Sequence, residues 1–171
     1  MEVFEAIKKR RSIRKYKKEE VPKEALLKLV EAGIWAPTSG NIQAWEFIIT
    51  KKKESIGKIK IFSPGLIGEP AALIILCTNR REAYEKGGEL GRDILCLMDI
   101  SMAAQNILLE ATEIGLGSCP VRSFNQAAIK KLLDLPNEVI PELIISIGYQ
   151  AESPKPPARE MDKVIHLERW K

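Results

Sequence analysis

The sequence predicts one domain in which helices pack on a β-sheet. A length of 171 residues suits one well-buried core and is short for two. Apolar residues make up 45% and charged residues 29%, as in globular proteins. Some segments carry apolar residues at helical spacing, and others are the alternating or continuous apolar runs typical of strands. Helices and strands follow one another without a regular βαβ repeat.

The sequence predicts three helices from the spacing of apolar residues and from helix-end signals. Residues 2–9 carry apolar side chains at helical spacing and end in a basic run. A second helix begins near Pro22, which suits the first helical position, and is stopped by Pro37. The segment from Asp93 to Glu113 is rich in Leu, Met, Ala and Ile and is followed by Gly115, a common residue at helix ends. We expect this last helix to be central.

Four extended segments and one further helix complete the domain. Apolar and polar residues partly alternate over residues 45–49, which predicts a strand. Residues 71–78 form a continuous apolar run, typical of a strand covered on both faces. Residues 118–121 are expected to be extended, and a helix capped by Asn125 should run through Leu133. Residues 143–149 are predicted to form another strand.

The carboxyl-terminal tail, residues 153–171, is too polar and too rich in proline to fold on its own. It nevertheless contains Val164, Ile165, Leu167 and Trp170. These side chains need an apolar surface that the segment cannot provide, and a partner subunit would supply one.

Composition excludes several classes of function. Cys77, Cys96 and Cys119 lie far apart and His166 is the only histidine, so a metal-ligand cluster or a serine–histidine triad has too few parts. No uninterrupted apolar stretch reaches 18 residues, so no membrane span is expected. Residues 1–5 are acidic and amphipathic, unlike a secretory signal, which predicts a cytoplasmic protein.

Positive charge is concentrated near the amino terminus. The net charge is +4, but eight of the eleven residues from Lys8 to Lys18 are basic. If the chain is extended after the first helix, Arg10, Ser12 and Arg14 share one face. Arginine binds phosphate oxygens in a bidentate manner and serine adds a donor, so this set suits a phosphate. The alternative is that these cations cap the carboxyl end of the helix and stay solvated.

Two loops also carry groups suited to a heteroaromatic ring. Residues 37–43 combine hydroxyls, amides and Gly40, which allows the backbone to approach a ligand closely. Residues 115–124 can present backbone N–H groups. An ordinary turn and a helix end followed by a buried strand are the simpler interpretations. The GxG of the second loop follows a helix and lacks the third glycine, so the dinucleotide fingerprint is absent.

Taken in order, these segments resemble the nitroreductase-like FMN-dependent flavoproteins. That family has a basic RRSxR after its first helix, an APSxxNxQPWxF loop and strand, a long central helix ending in GLGS, a strand ending in GYP and a basic residue in a Pro-rich tail. The counterparts here are Arg10 to Arg14, Ala36 to Phe47, Gln105 through Ser118, Ile147 to Tyr149, and Arg159. Order and spacing agree over nearly the whole chain.

The resemblance implies an α+β fold: a mixed central β-sheet flanked by helices, formed by residues 1–171 as one domain. It also implies an intertwined homodimer that exchanges the tail from residue 153 to 171 and binds FMN at the subunit interface. The implied FMN contacts are Arg10, Arg11, Ser12 and Arg14 at the phosphate and polar chain, Arg159 as added charge, Pro37, Thr38, Ser39 and Asn41 from the partner chain, and the backbone of Pro120, Val121 and Arg122 beside the ring.

The implied activity is ping-pong electron-pair transfer from NADH or NADPH to nitroaromatics, quinones or similar small acceptors. Because the flavin carries the electrons, no catalytic side chain is assigned. The implied partners are a second copy of the chain and a small-molecule acceptor, with no nucleic acid and no membrane.

Three departures from the family pattern limit this transfer. Ala44 replaces a usual proline, Pro157 stands where a second basic residue often precedes the tail arginine, and the 79–92 segment is short for a substrate lid. A dehydrogenase or reductive dehalogenase of the same fold remains an alternative. A non-catalytic basic protein that binds nucleic acid or an acidic partner is a distant one, because the basic run lacks neighbouring aromatic residues beyond Tyr16.

Overall fold

A four-stranded antiparallel sheet forms the centre of the fold in the computed structural model, which describes residues 1–170. Its strands are β1 (Trp45–Thr50), β2 (Ala72–Asn79), β3 (Gly117–Val121) and β4 (Val139–Gly148). They lie in the order β1-β2-β4-β3. Helices cover the sheet, so the predicted α+β class is confirmed. Lys171, the last residue of the predicted tail, lies outside the described residues.

Six α-helices surround the sheet in the described part of the chain. They are α1 (Val3–Lys9), α2 (Lys23–Ile34), α3 (Lys53–Ile61), α4 (Arg80–Leu90), α5 (Cys96–Glu113) and α6 (Gln126–Leu132). A π-helical turn, Gly91–Leu95, joins α4 to α5, and short 3₁₀ turns span Ser39–Asn41 and Met161–Lys163.

The two edges of the sheet differ. Beside β3, Ser12 forms an isolated parallel bridge with Ser118, and Ile13 N–H donates to the carbonyl of Ser118 at 2.9 Å. The four strands themselves pair antiparallel, and the parallel contact of residue 12 is an isolated bridge outside them. At the opposite edge, β1 has no strand neighbour besides β2 within residues 1–170.

Apolar cores fill both faces of the sheet. On one face, side chains of β2 and β4 pack with α2 and α5, and on the other with α3 and α6. This arrangement explains the continuous apolar run of β2, in which every residue from Ala72 to Thr78 is fully buried. The predicted strand with two covered faces is therefore confirmed.

Helix α5 is the central helix, as expected. It contacts α2 and strands β2, β3 and β4, and eight of its side chains are buried. Gly115 follows it with φ of 77°, a conformation that glycine adopts at little cost, and Leu116 N–H closes the helix on the carbonyl of Ala111 at 2.7 Å. The expected start of α2 is corrected by one residue, because Pro22 lies at the N-cap and the helix begins at Lys23.

The helical stretch Arg80–Glu113, which is kinked at Gly88 where φ is 63°, differs from the sequence expectation of no membrane-length segment. It contains an 18-residue window with a mean hydropathy of 1.4, which by length and composition could cross a membrane. Buried core helices share that property. Here α5 directs its apolar side into the core against the sheet, which accounts for its composition.

Strand β4 begins four residues earlier than predicted because it contains a bulge. Leu76 of β2 pairs with Leu143, whereas the next residue, Cys77, pairs with Pro141. Glu142 is therefore the extra residue. Proline has no N–H to donate to a ladder and is tolerated at bulges, which is why the strand continues through Pro141.

Candidate functional site

The basic segment after α1 is extended and lies along β3. Ile13 is only 3% exposed and packs over Gly117, where an added Cβ would lie 2.8 Å from the Ile13 side chain. The flanking Ser12 and Arg14 are half-buried and exposed, respectively. Side chains alternate along extended backbone, so Ser12 and Arg14 lie on the face opposite to the buried Ile13.

The three arginines of this segment have different surroundings. Arg11 donates from Nη1 to the carbonyls of Lys8 and Arg10, each at 2.6 Å, so it caps the carboxyl end of α1 as the alternative interpretation supposed. Arg10 and Arg14, in contrast, form no side-chain hydrogen bond or ion pair with any residue from 1 to 170. Two guanidinium groups are thus free to bind an anion.

Two buried polar atoms at this site have no hydrogen-bond partner in the described part of the chain. They are Nε of Arg11 and Oγ of Ser118. Ser118 lies directly beside Ser12 through the parallel bridge. Unpaired buried polar groups cost about 1–3 kcal/mol each, so their presence needs a reason. A ligand rich in acceptor oxygens, such as the phosphate and polyol chain of FMN, fits these donors.

Neighbouring elements fix the backbone of the segment. The carboxylate of Glu152 accepts from Arg14 N–H at 2.7 Å and from Lys15 N–H at 3.2 Å. From another side, Gly68 packs so tightly on Arg14 that an added Cβ would lie 2.0 Å from the Arg14 carbonyl oxygen. Gly68 also has φ of 81°, so both the close contact and the backbone conformation require glycine at this position.

Tyr16 anchors the end of the same segment to the sheet. Its hydroxyl donates to the carbonyl of Ile13 at 2.5 Å and lies 2.8 Å from Oγ of Ser146 on β4. Burial raises the pKa of Tyr16 above its ordinary value, since the charged phenolate would lose its hydration. The neutral hydroxyl therefore holds the basic segment in place.

The 37–43 loop is held by a buried carboxylate that sequence reasoning missed. Asp99 of α5 is 4% exposed, and its Oδ1 accepts from Ser39 N–H at 3.1 Å and from Ser39 Oγ at 3.4 Å. Gly40 and Asn41 both have φ between 50° and 60°, a region in which glycine and asparagine are tolerated. The available signal was that Asp99 is the only acidic residue in the apolar stretch from Cys96 to Leu109.

The loop also contacts α4. An added Cβ at Gly87 would lie 2.8 Å from the Ile42 side chain, and Lys86 donates from Nζ to the carbonyl of Ile42 at 3.3 Å. The short 79–92 segment therefore forms a helix against the loop. Among the four predicted FMN contacts of the loop, Pro37 and Asn41 are exposed and available to a ligand, whereas Thr38 and Ser39 are half-buried.

The end of β3 presents a positive charge beside a buried carboxylate. Pro120 and Arg122 are exposed, whereas Val121 between them is 4% exposed. The Arg122 guanidinium lies 5.3 Å from the centre of the Phe124 ring and 3.9 Å from Oε2 of Glu142.

Glu142 already has stronger partners than Arg122. Its Oε1 accepts from Arg80 at 2.5 Å and from Thr78 at 3.0 Å, and its Oε2 accepts from Gln126 at 3.1 Å. Arg122 therefore remains largely available to a ligand. The bulge in β4 places this carboxylate, which sequence reasoning also missed.

Within one chain, the structure brings together some of the predicted residues and not others. Residues 10–14 and 117–121 lie side by side, and Gly65 packs on Val121 near that junction. No hydrogen bond among the described residues joins the 37–43 loop to the 10–14 segment. Arg159 is exposed in the tail, where Nη1 donates to the neighbouring carbonyl of Ala158. A single chain thus brings together the 10–14 and 117–121 segments of the predicted site, without the 37–43 loop.

The fold and this site define an α+β protein with a basic, phosphate-compatible segment on the sheet edge. The sequence profile of the Nitroreductase family matches residues 7–62 and 58–149. The chain belongs to the Nitroreductase family, which places it among the oxidoreductases.

Related proteins match this chain over nearly its whole length. A Methanothermobacter thermautotrophicus protein, provisionally named an NADH dehydrogenase/NAD(P)H nitroreductase, is 35% identical over 99% of this chain and 88% of its own. The structure of an FMN-dependent nitroreductase from Clostridium difficile R20291 is 30% identical, with a TM-score of 0.84 over 96% of this chain and 98% of that one. An iodotyrosine deiodinase from Thermotoga neapolitana is 25% identical over 90% of this chain and 91% of its own.

Proposed function

We propose that the chain binds FMN and transfers electron pairs from NADH or NADPH to small acceptors such as nitroaromatics or quinones. The observation that carries this proposal is the pair of free guanidinium groups, Arg10 and Arg14, which flank Ser12 beside the unpartnered hydroxyl of Ser118. Family membership supports an oxidoreductase, and the Clostridium difficile relative is named as FMN-dependent.

The phosphate end of FMN is assigned to Arg10, Ser12 and Arg14. Arginine pairs with phosphate oxygens through charge-assisted hydrogen bonds that are about twice as strong as neutral ones. Arg11 is bound to the carbonyls of α1, so its share of the binding comes from the remaining donors of its guanidinium. Arg159 of the tail adds positive charge.

The ring end is assigned to the 120–122 segment. Proline has no N–H and Val121 is paired with Ile144 in the sheet, so the donor assigned there is the backbone N–H of Arg122. FMN bound at this position would supply the two-electron chemistry. The exposed Arg122 guanidinium would stabilise negative charge at the ring.

The working form is proposed to be a homodimer. Exposed apolar side chains cover α1, the outer face of the helical run and the tail: Val3, Phe4, Ile7, Ile94, Leu97, Met98, Val164, Leu167 and Trp170. A monomer rarely exposes so much apolar surface. In the dimer, Pro37, Thr38, Ser39 and Asn41 would meet the flavin of the partner, and the tail would lie on the other subunit.

A reductive dehalogenase is the second candidate function. The iodotyrosine deiodinase of Thermotoga neapolitana matches along nine tenths of the chain, which favours this possibility over other reactions of the same fold. The two candidates share the cofactor and the electron donor and differ in the acceptor.

An anaerobic titration tests the proposal. Protein reconstituted with FMN should lose its flavin absorbance on addition of NADH or NADPH. Subsequent addition of a nitroaromatic or a quinone should restore it. Restoration by iodotyrosine alone would assign the second function. If neither nicotinamide bleaches the bound flavin, the proposed activity is wrong.

A further inference from the structure

A second cationic site lies in a groove outside the proposed flavin site. The groove has a volume of about 730 Å³, within the usual range of ligand pockets. Six lysines from three segments line it: Lys17, Lys18, Lys51, Lys52, Lys53 and Lys60. None of the described lining residues is among those assigned to FMN, so the groove is a separate feature.

The lysines exceed the carboxylates that could neutralise them. Three ion pairs are formed in the groove: Lys17 with Glu19 at 3.9 Å, Lys51 with Glu20 at 3.7 Å, and Lys60 with Glu69. Such exposed pairs contribute little. Lys18, Lys52 and Lys53 have no carboxylate within ion-pair distance in residues 1–170. The groove therefore carries an excess of three positive charges.

Part of this charge opposes the stability of α3. Lys51, Lys52 and Lys53 lie at the amino-terminal end of the helix, where the helix dipole disfavours cations. The only acidic residue in the first turn, Glu54, is paired with Lys58 at 2.6 Å. Sequences that violate a local rule without compensation often do so for function. An anion in the groove would offset both the charge repulsion and the unfavourable dipole.

We propose that this groove binds an oligophosphate, either free or carried by a nucleotide. An ammonium group binds phosphate as a mobile point charge, and several together suit a ligand with several charges. The concave shape favours a small ligand over a flat macromolecular surface. The half-buried Ala71 provides a small apolar surface beside the lysines, against which a nucleoside can lie.

Calorimetric titration of the FMN-saturated protein with sodium tripolyphosphate tests the proposal at low ionic strength. Binding should weaken at least about tenfold in the Lys18→Gln/Lys53→Gln variant, because two of the unpaired cations are lost. The matched control is Lys23→Gln/Lys131→Gln, which removes the same charge from helices outside the groove. Its affinity should stay within about twofold of the parent. Constant flavin absorbance establishes that the FMN site is not the one titrated.

A second arm replaces tripolyphosphate with ATP. Tighter binding of ATP would assign the groove to a nucleotide, and equal binding would assign it to the phosphate chain alone. Absence of binding by both compounds, or equal losses in the groove and control variants, would overturn the proposal.

Discussion

Neighbouring arginines in this protein have separate physical roles. Arg11 caps α1, whereas Arg10 and Arg14 keep their charge available next to Ser12 and Ser118. The distinction depends on where the hydrogen-bond donors point, because the three side chains carry the same charge. It predicts that substitutions at adjacent positions will affect different properties.

Arg10→Ala should weaken FMN binding by about 1.5–3 kcal/mol, since it removes charge-assisted hydrogen bonds, and Ser12→Ala by about 1 kcal/mol. Arg11→Ala should instead lower the free energy of unfolding by about 0.5–2 kcal/mol through the loss of its bonds to α1. Flavin fluorescence titration and urea denaturation measure the two quantities.

Lys9→Ala is the matched control, because it removes one positive charge from the adjacent position. Lys9 contacts Glu5 at 3.7 Å on the exposed side of α1. The assignment fails if Arg10→Ala leaves FMN affinity unchanged while lowering stability, which would extend the capping role to Arg10.

Tyr16→Phe should lower the free energy of unfolding by about 0.5–2 kcal/mol at neutral pH, through loss of the bonds to Ile13 and Ser146. The pKa of Tyr16 is raised in the folded state, so its stabilising contribution is complete below the unfolded pKa of about 10. Above that pH the unfolded chain ionises and the folded chain does not. The difference between parent and variant should therefore shrink as pH rises above 10.

Urea denaturation at neutral and alkaline pH measures this difference. Tyr84→Phe is the control, because Tyr84 is half exposed on α4. A gap between parent and Tyr16→Phe that stays constant from neutral pH to above pH 10 would show that Tyr16 is not shielded from ionisation.

At the level of elements, the loop after α3 supports the basic segment through a glycine. Gly68→Ala would place a Cβ 2.0 Å from the Arg14 carbonyl oxygen at a φ of 81°. We expect a loss of more than about 2 kcal/mol in stability and weaker FMN binding, because Arg14 must shift. Gly57→Ala is the matched control: no described atom beyond its chain neighbours and the backbone of its own helix lies within 4 Å of the added Cβ, and alanine favours the helix. Equal stability of the two variants, measured by thermal unfolding, would contradict this packing.

The pattern of apolar residues along the sequence predicted correctly those elements that are packed on the core. The continuous apolar run of β2 and the long α5 were found because both are surrounded by core. Helix α3 was missed because only Ile56 and Ile59 of its residues are buried, which gives a weak pattern among lysines. Helix α4 was left unassigned since Gly87 and Gly88 interrupt its sequence.

The candidate site was predictable where it follows local sequence and not where it depends on distant contacts. The basic segment and the loop of residues 37–43 were recognised as ligand-binding candidates. Asp99 and Glu142 were not, since the roles of these buried carboxylates arise from Ser39 and Arg80, residues far away in sequence. The sequence also could not show that Arg11 caps α1 while Arg10 does not, because this difference depends on the positions of the side chains.

For the whole molecule, the proposed dimer predicts that tail, association and flavin binding are linked. Deleting residues 154–171 should weaken dimerisation and flavin retention together, because a site shared by two chains exists only in the dimer. Truncation after Ser153 keeps Glu152, whose carboxylate holds the basic segment. Light scattering gives the molar mass and absorbance gives the bound flavin. A stable monomer with full FMN occupancy would rule out the shared site while leaving the FMN assignment intact.

The most direct test of the central claim is the identity and amount of flavin in the purified protein. The site offers cations for one phosphate, and the sequence lacks a dinucleotide-binding loop. After incubation with FMN and FAD in equal excess and removal of unbound flavin, chromatography of the released cofactor should give about one FMN per chain, as one phosphate site per chain predicts. Recovery of FAD, or of no flavin at all, would contradict the account.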